Sequence, residues 1–155
     1  MRNIVIFIFL INLSFIQNTY SQERNLTTGW YAIVNSDNNL KINLKNTETP
    51  YFINESPIIS IKNFKSSKLI NSRTRPYLQI EIQYDEIGSK IWENKTEKLI
   101  GKKIGFISNS ELLEVVEITS KISSGKVSFG ISDSEKSELQ IINKFINVEI
   151  KSLKK

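Results

Sequence analysis

Two neighbouring stretches decide the fold of this 155-residue chain. The first is Gln79-Ile-Glu-Ile-Gln-Tyr-Asp-Glu-Ile-Gly-Ser-Lys-Ile-Trp92, and the second is Ile100-Gly-Lys-Lys-Ile-Gly-Phe-Ile107. Apolar and polar residues alternate up to Gln83, which predicts a strand with one buried face. Asp85 predicts the N-cap of a helix, and Gly101 predicts its left-handed end. The apolar run after Gly101 predicts a second strand, so the unit is strand, capped helix and strand.

The residues around this unit predict further antiparallel strands and one more helix. Residues 104–108 and 111–118 predict a hairpin that turns at Asn109-Ser110. Alternating or β-branched runs predict strands at 29–35, 40–44, 51–53 and 126–131, and residues 62–65 predict a turn. Residues 132–134 predict the cap of a second helix over 135–145, and residues 148–151 predict a last extended piece. The pattern predicts an α+β domain, an antiparallel β-sheet with two helices packed on one face.

The helix periodicity also predicts which residues face the core. In the first helix the inward side chains are those of Ile87, Ile91, Trp92, Thr96, Leu99 and Ile100. In the second helix they are Leu139, Ile142 and either Phe145 or Ile146.

The N-terminus predicts export. Met1-Arg-Asn3 is a positive start, residues 4–11 are an unbroken apolar run, and Thr19 and Ser21 are small residues at the positions that precede a cleavage site. We therefore expect a signal peptide over 1–21, with an uncleaved anchor as the open alternative. The expected location is periplasmic or secreted, in the cell envelope, with no integral membrane segment after signal cleavage.

The composition excludes several classes of site. The chain has no histidine and no cysteine. It therefore lacks the usual general base near neutral pH, thiol nucleophiles, disulfides and the commonest metal ligands. A net charge of +5, with lysines interleaved among acids, does not form the dense basic patch of a nucleic-acid-binding surface. The sequence predicts no catalytic residue, no cofactor, no metal and no nucleic-acid partner.

Two groups of residues are the candidates for contact with a partner. Arg73 and Arg75 lie beside Tyr77, and a mixture of arginine and aromatic side chains is favoured at interfaces. Lys102 and Lys103 form a basic rim after the first helix.

Acid–base chemistry remains an alternative through the carboxylates of the hairpin. Strand alternation places Glu111 and Glu117 on one face and Glu114 on the other, which predicts solvated side chains rather than a converging pair.

The order of motifs from residue 51 to 146 carries a family resemblance. It comprises Pro57-Ile-Ile, Leu78-Gln-Ile-Glu-Ile, Asp85-Glu-Ile-Gly88, Thr96, Ile100-Gly-Lys-Lys-Ile-Gly-Phe-Ile, Ile122-Ser-Ser-Gly-Lys-Val-Ser-Phe and Ser134. In this order the stretch resembles the periplasmic head subdomain of SecD and SecDF, accessory subunits of the bacterial protein-export channel. The residue patterns predict a signal peptide at 1–21 and N-terminal strands and loops at 22–50, and the resemblance implies a SecD-head-like domain at 51–155. We expect 22–155 to fold as one domain.

The chain departs from the family at a few positions. The hairpin turn is Asn109-Ser110 where the family has Asp-Gly or Asn-Gly, Val116 replaces a proline, and Ile131 replaces a glycine. No transmembrane helices follow, so the resemblance implies a stand-alone head.

The resemblance implies an exported, non-enzymatic binding module. Its partner would be a protein or an unfolded polypeptide in the cell envelope, held by an exposed sheet edge or a mobile loop. Two alternatives stay open: a small envelope enzyme that uses a carboxylate pair, and a purely structural envelope protein.

Overall fold

The computed structural model of the protein describes residues 25–35, 39–71, 78–131 and 136–155. The predicted signal peptide lies outside these residues. So do the loop with Arg73, Arg75 and Tyr77, the predicted cap at 132–134, and part of the predicted turn at 35–39.

The described residues form strands and two α-helices, α1 and α2. A short 3-10 helix at Ile61–Asn63 stands where the sequence predicts a turn over 62–65. The bounds are β1 Gly29–Val34, β2 Leu40–Asn43, β3 Pro50–Ile53, β4 Ile59–Ser60, β5 Phe64–Asn71, β6 Leu78–Tyr84, α1 Glu86–Lys98, β7 Lys103–Ser108, β8 Glu111–Glu117, β9 Lys126–Phe129 and α2 Lys136–Ser152.

The predicted α+β class is confirmed, and the strands are divided between two antiparallel sheets. One sheet has the order β2-β3-β1-β7-β8. Strand β4 pairs with the first half of β1, on the same edge where β3 pairs with the second half. The second sheet has the order β5-β6-β9. The two sheets alternate along the chain, because β5, β6 and β9 lie on either side of β7 and β8 in sequence.

The larger sheet curls until its two ends meet. Leu44 forms a bridge with Leu112, and the Lys45 N–H donates to the Leu112 carbonyl at 2.8 Å. The curl encloses a small apolar core of its own, formed by Tyr31, Ile53, Ile107 and Leu112 with partly buried neighbours.

The larger core contains residues from both sheets and both helices. Its centre is aromatic. The Trp30 ring lies 5.7 Å from that of Trp92 and 5.1 Å from that of Phe106, and Tyr84 lies 5.3 Å from Trp92. Trp92 is completely buried, which confirms that α1 turns this side chain inward. Aromatic pairs at these separations stabilise the core beyond their area burial.

Helix α1 begins and ends as the sequence predicts. Asp85 Oδ1 accepts a hydrogen bond from the Gly88 N–H at 2.6 Å, and Gly101 has a φ of 76°. The inward face is narrower than predicted, however. Ile87 is 67% exposed because it lies about 140° from Trp92 around the helix. Ile100 is also exposed, since it follows the end of the helix.

Two inward-facing residues of α1, one small and one polar, have contacts that explain their type. A Cβ on Gly88 would lie 2.8 Å from both the Cβ and the carbonyl oxygen of Asn63. The helix therefore approaches the 3-10 turn as closely as a glycine permits. Thr96 is buried, and its hydroxyl accepts from the Ile122 N–H at 3.0 Å, which holds the segment before β9 against α1.

The β7–β8 hairpin is confirmed. Asn109 and Ser110 have φ values of 51° and 60°, as a two-residue turn with both central residues left-handed requires. A β-bulge pairs Phe106 with Glu114 but Ile107 with Leu112, so that one extra residue, Leu113, enters β8.

The bulge overturns the predicted alternation of the hairpin carboxylates. The extra residue puts Glu114 on the same face as Glu111, and Glu117, opposite Lys103, on the other.

Helix α2 is longer than predicted. Residues 148–151, predicted as an extended piece, belong to the helix. Ile146 and Ile150 continue the helical series of buried residues that starts at Leu139. The pattern Val-Glu-Ile fits an alternating strand as well as a helix, so a short window could not separate the two.

Candidate functional site

The sequence places most of its contact residues in the loop between β5 and β6. Arg73, Arg75 and Tyr77 fall outside the described residues, so their role stays a prediction. Asn71 and Leu78, which flank the loop, are paired in the sheet. The loop therefore connects the two strands of a hairpin in the smaller sheet.

Lys102 and Lys103 belong to the other sheet. Both are exposed. The carbonyl of Lys102 accepts from the Ile118 N–H at 2.9 Å, and Lys103 is paired with Glu117 at the start of β7. The two groups of predicted contact residues are thus attached to different sheets.

The pairing of β6 shows which main-chain groups of β5 point outward from the edge of the sheet. The Tyr84 N–H donates to the Gly125 carbonyl at 3.0 Å, so the main-chain groups of Tyr84, Ile82 and Ile80 point towards β9. The residues of β5 opposite Ile82 and Ile80 are Ser67 and Leu69. Their own N–H and C=O groups must therefore point away from the sheet, and so must those of Asn71, two residues further on.

Helix α2 closes the first part of this edge. The side-chain amide of Asn147 donates to the Ser67 carbonyl at 2.9 Å and accepts from the Ser67 N–H at 3.4 Å. One side chain thereby satisfies both outward groups of one residue, as the peptide group of a neighbouring strand would. The edge is blocked at Ser67.

Further contacts hold α2 along the same strand. Ser67 Oγ donates to Asn143 Oδ1 at 2.7 Å, and the Lys154 ammonium donates to the Lys65 carbonyl at 3.1 Å. The closed part of the edge therefore runs from Lys65 to Ser67. Among the residues that the structure describes, no hydrogen-bond partner faces the outward main-chain groups of Leu69 and Asn71.

At the opposite edge of the sheet, β9, outward main-chain groups are satisfied by a residue close in sequence rather than by a helix. Ser124 Oγ lies between the Lys126 N–H at 3.3 Å and the Lys126 carbonyl at 2.9 Å, so a local serine occupies these outward groups. By the same alternation Ser128 directs its N–H and C=O outward. The strand is only four residues long, which makes it a poor template for an added strand.

In the described part of the chain, carboxylates come together in pairs around lysines. The Lys121 ammonium lies 3.0 Å from Glu93 and 3.6 Å from Glu97, and Lys45 holds another pair. The Lys45 ammonium lies 2.7 Å from Glu111 and 3.2 Å from Glu138. The hydrogen bond to Glu111, followed by that to Glu138, raises the pKa of Lys45. A cation held between two acids is an ion-pair clamp, and here it fastens α2 to the end of β8. Among the described residues no group of three or more acids could hold a metal ion.

Three buried polar atoms lie in the aromatic centre of the larger core. Trp30 Nε1, Trp92 Nε1 and the Tyr84 hydroxyl make no hydrogen bond within the described part of the chain. Burial raises the pKa of Tyr84 well above its ordinary value. The nearby Trp30 indole opposes that rise in pKa, but its approach falls short of hydrogen-bond geometry.

The residues that shape the β5 edge were missed by reasoning from the sequence. Asn143 and Asn147 are four residues apart, so they are neighbours on the helix surface. They lie beside the buried residues of α2, and this spacing indicates two polar side chains that face the protein. The sequence alone does not show that Ser67, 80 residues away from Asn147, is what they contact.

Comparison with known proteins gives a likeness in fold and none in sequence. No protein-family model matches the chain, and neither does any curated protein. Two solved structures of SecDF are similar to it. The first, described as a membrane component that enhances protein export, has a TM-score of 0.61 and 11% identity, covering 79% of this chain and 63% of that one. The second, SecDF in a super-membrane-facing form, has a TM-score of 0.62 and 11% identity, covering 83% and 19%.

The chain thus spans less than two thirds of the length of either SecDF chain. None of the helices in the described ranges has the length and apolar character needed to span a membrane. The shared 79% is more than residues 51–155 could supply, so the likeness extends to residues that precede Tyr51. At this level of identity the comparison concerns the architecture, and this protein has a SecDF-like α+β fold.

Proposed function

We propose that this protein is an exported, non-enzymatic binding module that holds an extended polypeptide, either a segment of a protein partner or an unfolded chain, in the cell envelope. The observation that carries the proposal is the outer edge of β5. Its outward main-chain groups are satisfied at Ser67 and have no partner at Leu69 and Asn71 among the described residues. The SecDF-like fold supports a role connected with protein export.

An open edge suits a partner of variable sequence. An added strand is held by main-chain hydrogen bonds, which every residue except proline can donate. Binding would begin beyond the block formed by Asn147 and run along Leu69 and Asn71. It would continue towards Arg73, Arg75 and Tyr77, whose arginine and aromatic side chains suit an interface. Lys102 and Lys103 would serve as a second, basic contact on the larger sheet.

The outer face of the smaller sheet fits this role because its side chains are polar apart from the partly exposed Ile70. On that face Lys68 lies 3.2 Å from Glu81, with Gln79 and Gln83 on the same strand as Glu81. A polar face keeps the sheet itself from associating and leaves the edge as the place of contact.

The test compares two proline substitutions on two edge strands. Asn71→Pro removes an outward N–H from β5 and leaves every hydrogen bond to β6 in place. Ser128→Pro does the same on β9 and is the matched control. The probe is a permanently unfolded polypeptide, a reduced and carboxymethylated secretory protein, and its affinity is measured by fluorescence anisotropy.

We expect Asn71→Pro to weaken binding by about tenfold, as the loss of one strand hydrogen bond implies, with Ser128→Pro close to the parent protein. Equal weakening by both variants would contradict an assignment to β5. If the parent protein does not bind the unfolded polypeptide, the result would favour the alternative of a purely structural envelope protein. A photo-activated crosslinker at position 71 then recovers the natural partner from cells.

A further inference from the structure

Helix α2 carries apolar side chains on two opposite sides. The inner side supplies Leu139, Ile146 and Ile150 to the larger core. On the other side Ile141 is 69% exposed, Phe145 37% and Val148 58%. We call these three residues the outer stripe. A helix that only covers a sheet needs one apolar side, so packing among the residues that the structure describes does not require the outer stripe.

The outer stripe has the spacing of a helix–helix seam. Ile141, Phe145 and Val148 are separated by four and then three residues, the pattern of alternating d and a positions in a heptad. At 100° per residue they fall within an arc of about 60° on the helix surface. The same series reaches Ser152, the last residue of α2.

Opposite charges border the outer stripe. Lys144 lies on one side of it and Glu149 on the other, each about 70° from its middle, which are the g and e positions of the same heptad. The Glu149 carboxylate accepts a hydrogen bond from the Thr28 hydroxyl at 2.5 Å, which holds its side chain in place. At the N-terminal end Glu138 is paired with Lys45, so its charge is neutralised there.

We propose that the outer stripe binds the outer stripe of a second copy of this chain, with the two α2 helices parallel. In a parallel pair a g residue faces the e residue five positions later on the other helix. Lys144 of each copy would then meet Glu149 of the other copy, twice in the dimer. An antiparallel pair would place lysine against lysine and glutamate against glutamate, so the charges favour the parallel arrangement.

The dimer would be weak and reversible. Three apolar side chains on each copy are far fewer than the ~20–30 residues that a stable protein interface uses on each side. The pairing is independent of the β5 edge, because the Asn147 side chain that closes that edge lies on the inner side of α2.

The first test measures association against concentration by sedimentation velocity, with protein purified from cells that express the full chain. Ile141→Lys and Val148→Lys place a charge in the outer stripe without touching the core. Ile87→Lys, at an equally exposed isoleucine on α1, is the matched control. We expect the parent and the control to form dimers and each outer-stripe variant to dissociate at least tenfold more readily.

The second test determines the direction of the helices. The chain has no cysteine, so a single introduced cysteine is the only thiol present. In a parallel pair each residue faces its own counterpart, and Ile141→Cys and Ser152→Cys should each form a disulfide-linked dimer on mild oxidation. In an antiparallel pair only a residue at the middle of the contact, such as Phe145→Cys, would do so.

Three results from these two tests would overturn the proposal. They are a monomer at every concentration, a dimer that survives Ile141→Lys, and a cross-link at position 145 without one at 141 or 152. Binding of a different protein to the outer stripe, with no self-association of the purified chain, would also overturn it.

Discussion

Substitution of Asn147 by alanine tests whether its side chain replaces a neighbouring strand at the β5 edge. The change removes a 2.9 Å hydrogen bond to the Ser67 carbonyl and a longer one, at 3.4 Å, from the Ser67 N–H. It also removes a 2.9 Å bond to the Asn143 carbonyl, within the helix. Ser67 is buried, so its freed carbonyl gains little compensation from water.

The magnitude follows from these contacts. The bond to the Ser67 carbonyl contributes ~1 kcal/mol, and a buried carbonyl left without a partner adds ~1 kcal/mol or more. Alanine offsets ~0.5 kcal/mol of this because it favours the helix more than asparagine does. We therefore expect Asn147→Ala to lower the free energy of unfolding by about 1–2 kcal/mol.

The assay is urea unfolding followed by the fluorescence of Trp30 and Trp92, both of which are buried in the larger core. The matched control is Gln140→Ala, an exposed position on the same helix, which should change stability by no more than ~0.5 kcal/mol. An equally small loss for Asn147→Ala would refute the reasoning.

Three further predictions concern the core and its ionisation. Trp92→Ala should cost ~3–5 kcal/mol in urea unfolding, since the indole is completely buried, and a loss below about 1 kcal/mol would contradict its place in the core. Gly88→Ala should lower the free energy of unfolding by ~1–3 kcal/mol, because the added Cβ would lie 2.8 Å from the Asn63 backbone. This loss outweighs the ~1 kcal/mol by which alanine favours a helix over glycine. A gain in thermal midpoint would show instead that the 3-10 turn relaxes. Burial raises the pKa of Tyr31 to about 12 and that of Tyr84 well above its ordinary value. The folded state then keeps protons that the unfolded chain releases above about pH 10, so stability should be constant up to that pH and fall beyond it, and a midpoint unchanged at pH 11 would contradict the shifts.

The local elements of this protein were predictable because their causes lie within a few residues of each other. Asp85 caps α1 through the N–H of a residue three positions later, and Gly101 ends the helix by its own φ. Asn109 and Ser110 adopt the left-handed turn that their position between two apolar runs predicts. The alternation from Leu78 to Gln83 assigned the buried face of β6 correctly, because side chains of a strand alternate regardless of the partner strands.

The errors arose where a tertiary contact changes a local pattern. The bulge inserts Leu113 where β8 pairs with β7, and it reverses the alternation predicted for Glu114. The last turn of α2 is helical because Ile146 and Ile150 continue a buried face that only the packed core defines.

By itself, the sequence determined the α+β class, the strand–helix–strand unit and the hairpin, because periodicity, capping and turn geometry act over short distances along the chain. Only the tertiary structure decided how the strands divide into two sheets and which edge is closed. The block on β5 joins Ser67 to Asn147, 80 residues apart, and no local pattern specifies a contact of that range. The candidate edge at Leu69 and Asn71 is therefore a property of the folded chain: it begins where the amide of Asn147 no longer reaches the strand.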